Sequence, residues 1–398
     1  RYTATNIPGC FQDCSKADMP GVAGTTLPSM QDGLLPLQET MERLSQSETH
    51  PLAAVVPEVE DSKSADAFWA PVKTLFGTAR VFSGPVPWSF RWGALPEKHW
   101  SQRQLLKMDA AMLLATWFEK VGMGSQVVLT TPTLPRPLWE RVAPGVSKDK
   151  KAAGPAVDDL PLALFDSVRL RVRTPFGVVF VDCSNGTVSA ALPHAARALS
   201  ITLPVKGPWT LRRSDSLGSK EGDTVDLDVS IKEEEKGWKV TVKIRATGES
   251  NPYLKWKGAV KKKSVVAWLE GILGLKGSWS SWSVLEASPG ALSASITGLV
   301  DNAEPLFVAA SPAKEALVSL WEDLGKGVES QRVRPLRRHL RVTVEDAGKS
   351  SHGLRNRDIS FPGMTYRTST RTKGSTFELT QSFDLFDPSE LVPGSRGA

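Results

Sequence analysis

The chain is short of thiols and of side chains that carry acid–base chemistry near neutral pH. Among 398 residues there are 3 cysteines and 5 histidines, and Tyr 3 stands against Trp 13. Cys10, Cys14 and Cys183 form an odd, sparse set, which argues against a disulfide framework. Cys10 and Cys14 have no third and fourth ligand near them in sequence, so no metal is assigned. So few thiols fit a reducing compartment: intracellular, an organellar matrix or stroma, or a virus particle. No run approaches the roughly 18 to 20 apolar residues that span a bilayer. The patterns G-x-S-x-G, G-x-G-x-x-G and H-E-x-x-H are all missing, so neither a nucleophile elbow, nor a cofactor, nor a zinc helix is indicated.

What is present is ordinary in amount and uneven in placement. Hydrophobic residues at 40% and charged residues at 23% match soluble globular usage, and the length suits two or three folding units with sizeable cores. The net charge of +6 hides an asymmetry. From Arg1 to Asp66 acids outnumber bases at least two to one, whereas from Gln331 to Gly374 bases outnumber acids more than three to one. A basic surface attracts nucleic acid, anionic lipid or an acidic protein through the same field, and charge alone does not choose among them. The chain begins at Arg1 rather than methionine, which is compatible with a targeting peptide removed before it.

Residues 1–66 read as an extended acidic leader. Pro8, Pro20, Pro28, Pro36, Pro51 and Pro57 break each periodic run, and a short helix is expected only between Pro36 and Ser47. A helical unit follows over 67–131, built on "SQRQLLKMDAAMLLATWFEKVG". Ser101 and Gln104 look like a capping-box pair, Gly122 like a stop, and the apolar residues from Leu105 to Phe118 wrap most of the way round. Residues 132–161, rich in proline and glycine with a Lys-Asp-Lys-Lys run, read as a linker. From 162 to 398 the pattern is β. "SVRLRVRTPFGVVFVDC" alternates around a Pro-Phe-Gly turn. "TVDLDVSIKEEEKGWKVTVKIRA" pairs Ile231 with Trp238 and Val229 with Val240, setting Asp226 against Lys243 on the wet side. Helices are expected at "SVVAWLEGILG", capped by Ser264, and at "SPAKEALVSLWEDLG", capped by Ser311. "MTYRTSTRTKGSTFELTQSFDL" closes as a hairpin near Lys373 and Gly374. The fold class expected is α+β: a small helical N-terminal unit followed by a larger, mostly antiparallel β-rich unit with two or three helices.

The densest cationic stretch is "RVRPLRRHLRVTVEDAGKSSHGLRNRD", from Arg332 to Asp358. It is not a phosphate loop, because Thr343 stands where the first glycine of G-x-x-x-x-G-K-S belongs and no helix pattern follows Lys349. "HLRVTVE" reads as a strand with Leu340, Val342 and Val344 inward. Arg332, Arg334, Arg337, Arg338, Arg355 and Arg357 flank it and suit phosphate contacts that hold without specifying sequence. A second candidate is the basic approach Lys261, Lys262, Lys263 to a helix bearing Trp268, a composition found at membrane surfaces and also on ordinary core helices. Asp226 and Asp228 share a strand face but belong to a charged ladder, and Cys183 with His194 carries no family signature of a nucleophile and base.

Together these point to a non-catalytic structural or interaction subunit of a large macromolecular assembly. A particle coat or surface protein and an accessory subunit of an organellar complex both fit. The expected partners are other protein subunits. Nucleic-acid binding through the C-terminal arginines is the alternative, and peripheral membrane contact through residues 255–282 is a third reading. No catalytic, metal or cofactor residues are assigned, and no transmembrane span is expected.

Overall fold

Pro36, which reads as a helix breaker in the sequence, sits inside a helix, and so does Pro71. The computed structural model describes residues 30–58, 61, 63–82, 96–132, 134, 139–140, 142, 164–192, 198–213, 223–273, 276–301, 336–345, 356–361 and 363–385. Helix α1 (Met30–Gln46) contains Pro36, and α2 (Ala65–Thr78) contains Pro71. An interior proline costs about 3 kcal/mol relative to alanine. Against that, α1 buries Met30, Leu34, Met41 and Leu44, and α2 buries Phe68, Trp69, Val72 and Leu75. Each such side chain returns roughly 1.5–3 kcal/mol on burial, so the packing outweighs the break. The short helix expected after Pro36 therefore starts six residues earlier, at Met30, and the acidic leader has a core contact from that point on. Ser64 caps α2, its Oγ accepting from the Ala67 N–H at 3.2 Å.

The chain divides into two compact units, Arg1–Gly218 and Ser219–Ala398. In the first, α3 (Pro96–Ser101) and the short parallel pair β1 (Arg80–Phe82) and β2 (Gln104–Leu106) lead into α4 (Lys107–Lys120). The expected capping box at Ser101 and Gln104 is replaced. Ser101 ends α3, Gln104 lies in β2, and Asp109 holds the start of α4 by accepting from the Leu106 N–H at 2.9 Å. As its all-round apolar pattern requires, α4 is enclosed, with Leu113, Leu114 and Phe118 fully buried. It packs against α1, and against β3 (Ser125–Thr130) and β4 (Ser167–Thr174).

Those two strands belong to an antiparallel sheet completed by β5 (Gly177–Asp182), β6 (Val188–Ser189), β7 (Leu199–Pro204) and β8 (Thr210–Arg213), in the order β6-β5-β4-β3-β7-β8. Because β3 and β4 are neighbours, residues 132–161 connect adjacent strands of one sheet, and the division between units falls later. One sheet face carries Val127, Leu129, Leu170, Val172, Ile201 and Leu203, all buried. The β4–β5 hairpin turns at Pro175 and Phe176 as its sequence indicates, pairing Thr174 with Gly177.

The second unit is built on an eight-stranded sheet. Its strands are β9 (Asp223–Glu234), β10 (Gly237–Thr247), β11 (Ser278–Ala287), β12 (Ala291–Val300), β13 (Leu336–Glu345), β14 (Arg357–Phe361), β15 (Met364–Lys373) and β16 (Thr376–Leu385). Their order is β11-β12-β10-β9-β13-β16-β15-β14, antiparallel except for β9 beside β13. The β9–β10 register differs from expectation by two residues. Val240 pairs with Ile231 and Val242 with Val229, because the turn uses only Glu235 and Lys236. Gly237, at φ +124, makes that turn possible; a Cβ there would stand 2.8 Å from the Val300 carbonyl oxygen. A slip of two keeps every side chain on its expected face. Leu340, Val342 and Val344 do point inward, and the closing hairpin turns at Gly374 and Ser375.

Two helices precede β11: α5 (Pro252–Lys255) and α6 (Lys262–Leu273). The second lays Val265, Leu269 and Leu273 onto the apolar sheet face, among Val229, Val242 and Leu340. Its start lies two residues ahead of the expected cap, Ser264, and the first turn closes on the Lys261 carbonyl. The helix expected over 311–325 lies outside the described residues. Helices and sheets share each unit, an α+β architecture with the helical pair α1 and α2 leading.

Candidate functional site

The face of the eight-stranded sheet opposite α6 gathers the ionisable side chains of the second unit. Strand alternation and register set Arg245, Asp226 and His339 in one row across β10, β9 and β13, and Lys243, Asp228 and Arg341 in the next. Asp226 thus faces Arg245 rather than the expected Lys243, which stands opposite Asp228. Asp228 lies between Lys243 and Arg341, and Asp226 between Arg245 and His339, the arrangement of a polar, charged ladder. Farther across the face, Arg337 Nε donates to Asp384 at 2.7 Å, Arg341 Nε to Glu378 at 2.6 Å, and Arg367 Nε to Asp358 at 3.2 Å. The Glu378 carboxylate raises the Arg341 pKa through that hydrogen bond. Exposed pairs of this kind contribute little to stability but consume the donors that would otherwise meet an anion.

Of the six arginines singled out in the sequence, the three that are described do not share one face. Arg332, Arg334 and Arg355 lie outside the described residues. Arg337 projects onto the polar face and is engaged by Asp384. Arg338, opposite Phe383 on β16, turns to the other face and is half-buried. Arg357 opens β14, exposed, on the same side as Arg338.

The second sequence candidate is more tightly built in. Lys261, Lys262 and Lys263 are exposed at the start of α6, and Lys262 Nζ donates to the Trp279 carbonyl at 3.0 Å. Trp268 is half-buried, packed against the core and edge-on to Trp256 with ring centroids 6.2 Å apart. Trp279 likewise spends its indole N–H on Glu270 Oε1, at 2.9 Å. These rings are committed to the protein's own packing.

The apolar surface that the sequence reading missed lies on the neighbouring edge. β11 is an outer strand of the sheet, ten residues long, whose one charged residue is Glu286. Its pairing with β12 is irregular at Trp279/Ser281 and again at Val284/Glu286, which leaves Leu285 out of register and 75% exposed. Trp282 on the same strand and Leu299 on β12 are also exposed. The signal was the near-chargeless run "SWSSWSVL", which carries two large rings without the alternation of a half-buried strand.

Two acid–base side chains of the first unit are held by their neighbours. His99 Nδ1 meets Asp109 Oδ2 at 2.7 Å, the carboxylate that also starts α4. Cys183 is fully buried, with Sγ directed at the Val181 carbonyl, and burial raises its thiol pKa far above the usual range, opposite to what a nucleophile needs. His194 lies outside the described residues. Among the described residues, no three His, Cys, Asp or Glu side chains are grouped to hold a metal, and no helix is long and apolar enough to cross a membrane.

No family model matches the chain, and no curated protein does. Among solved structures, a crystal structure of a provisionally assigned protease from Parabacteroides distasonis aligns over 92% of this chain, at 12% identity and a TM-score of 0.41. The chain spans about half of that protein, 55% of its length. A likeness at this level assigns neither a fold nor an activity.

Proposed function

We propose that this chain is a non-catalytic structural or interaction subunit of a large assembly, such as a particle coat or an organellar complex. Its contacts with other protein subunits would run through the β11 edge of the eight-stranded sheet. The observation that carries this reading is the edge itself. An outer strand offers a row of backbone N–H and C=O groups to any chain that lies beside it, and unpartnered edges are usually blunted by lysine, proline or brevity. β11 has ten residues, neither lysine nor proline, and an exposed Trp282 and Leu285. Its two irregularities twist the edge, yet they also push Leu285 outward. Exposed tryptophan and leucine on a low-charge strand have the composition of an interface centre rather than of free surface.

The measurement is the native mass of the full chain, in its own extract and after purification, with Trp282→Lys and Leu285→Lys as variants. Both positions are exposed, so folding should survive. The reading expects a mass well above one chain, or co-purification with fixed stoichiometry, that the variants reduce. A monomer under both conditions, or an assembly indifferent to both variants, would overturn it. For the nucleic-acid alternative, the described arginines give limited support, since Arg337, Arg341 and Arg367 already meet carboxylates.

A further inference from the structure

Opposite charges mark the two ends of β11. Glu286 lies near its C-terminal end, and Lys276, exposed, stands two residues before its first residue, Ser278. Pairing with β12 sorts the side chains between them onto the two faces of the sheet. Ser278, Ser281, Ser283 and Glu286 fall on the polar face, whose next strand contributes Lys239, Thr241, Lys243 and Arg245. Trp279, Trp282 and Val284 fall on the face that α6 covers, in line with Val240, Val242 and Ile244. Ser280 and Leu285, at the two irregularities, stand out of register.

This order is self-complementary. Two copies of β11 can lie antiparallel about a two-fold axis that passes through Trp282, normal to the sheet. Like faces then stay together: Trp282 meets Trp282, Ser281 meets Ser283, and Ser278 meets Glu286. Leu285 comes opposite Trp279 of the second copy, so both exposed apolar side chains of the strand gain cover. Lys276 of the second copy lies diagonally across from Glu286, about 7–8 Å away and within reach of two long side chains. No like charges face each other. An in-register parallel copy would instead set Glu286 beside Glu286, which is destabilising. The sheet's other outer strand, β14, matches less well. It has five residues against ten and opens on Arg357 and Asp358, charges of the kind that blunt an edge.

We infer that the partner of β11 is a second copy of this chain, and that the two eight-stranded sheets join antiparallel about Trp282 into one continuous sheet. The interface is isologous, so every favourable pair off the axis occurs twice. A two-fold closes on itself and consumes both β11 edges, which stops open-ended growth along the sheet. The inference rests on the assembly reading in taking β11 as the edge that is used, and adds the identity of what lies against it.

The test is sedimentation equilibrium of the purified full chain, alone, over a range of concentrations. The mass should rise from one chain toward two and stop there. Trp282→Lys should raise the dissociation constant about tenfold or more. Glu286→Lys should raise it about threefold, because a lysine then faces Lys276 on both sides of the axis. Adding Lys276→Glu to Glu286→Lys should restore it, a rescue that requires the two ends of β11 to meet across the axis. A purified chain that stays monomeric at every concentration, while a larger complex in its own extract is lost with Trp282→Lys, would overturn the second copy and leave the assembly reading standing. A monomer in both settings would remove both. A dimer indifferent to Trp282→Lys, or a charge swap no better than Glu286→Lys alone, would overturn the pairing.

Discussion

His50 shows how one buried side chain sets a pH limit. It is 4% exposed, and its Nδ1 accepts from the Leu52 N–H at 3.2 Å. The ring proton therefore sits on Nε2, which donates to Thr116 Oγ1 at 3.0 Å, and Thr116 donates onward to the Met112 carbonyl at 2.7 Å. The neutral ring satisfies both nitrogens; a second proton would break the bond from Leu52. Burial, with Lys120 adding to it, lowers the pKa from 6.5 to about 4. The unfolded chain takes up the proton near pH 6.5 and the folded one only near 4. The stabilisation is therefore complete above pH 6.5 and lost as pH falls toward 4, by up to about 3 kcal/mol. Urea midpoints at pH 7 and pH 4.5 should differ more for the wild type than for His50→Gln, and equal differences would contradict the assignment. Little of this was visible in the sequence, where five scattered histidines carry no spacing. The arginine face of the first unit was partly visible: "VRLRVR" shows three arginines on one side of a strand. That Ser200, Thr202 and Arg212 lie on the same face, in the rows of Ser167 and Arg169, follows only from the pairing of β3 with β7 and β7 with β8, which no local pattern encodes.

At the scale of elements, local pattern succeeded where it matched packing and failed where packing overrode it. The period-two alternation of β9, β10, β13 and β16 fixed which side chains face inward, because alternation is a property of the strand alone. Register was not fixed, since a slip of two preserves every face and only the turn decides it. Gly237 decides it here, which gives a testable consequence. Its φ of +124 and the 2.8 Å approach of a Cβ to the Val300 carbonyl leave no room for a side chain. Gly237→Ala should destabilise the second unit by about 1–3 kcal/mol, read as a lower denaturation midpoint with unchanged slope. Gly374, also at positive φ but with open space around it, should tolerate alanine better, at about 1 kcal/mol, and an equal cost at both sites would show that contact with Val300 is irrelevant. Pro36 of α1 failed the other way: the breaker signal was real, but the helix packs on α4 and buries Leu34 and Met41, which a window of sequence cannot show.

At the scale of the whole molecule, each unit buries apolar side chains from its own stretch of chain. Among the described residues, the cluster around Val229, Val242, Leu269, Leu340 and Leu379 draws on residues from 225 to 379. Leu114 and Phe118 lie in the unit that ends at Gly218. Cooperative unfolding follows shared core contacts, so two cores built from separate stretches of chain should melt separately. Leu114→Ala and Leu340→Ala each remove a fully buried leucine and should each cost about 2–5 kcal/mol. Calorimetry should resolve two transitions, with Leu114→Ala lowering one and Leu340→Ala the other. A single transition lowered by both substitutions would mean that the units share their stability.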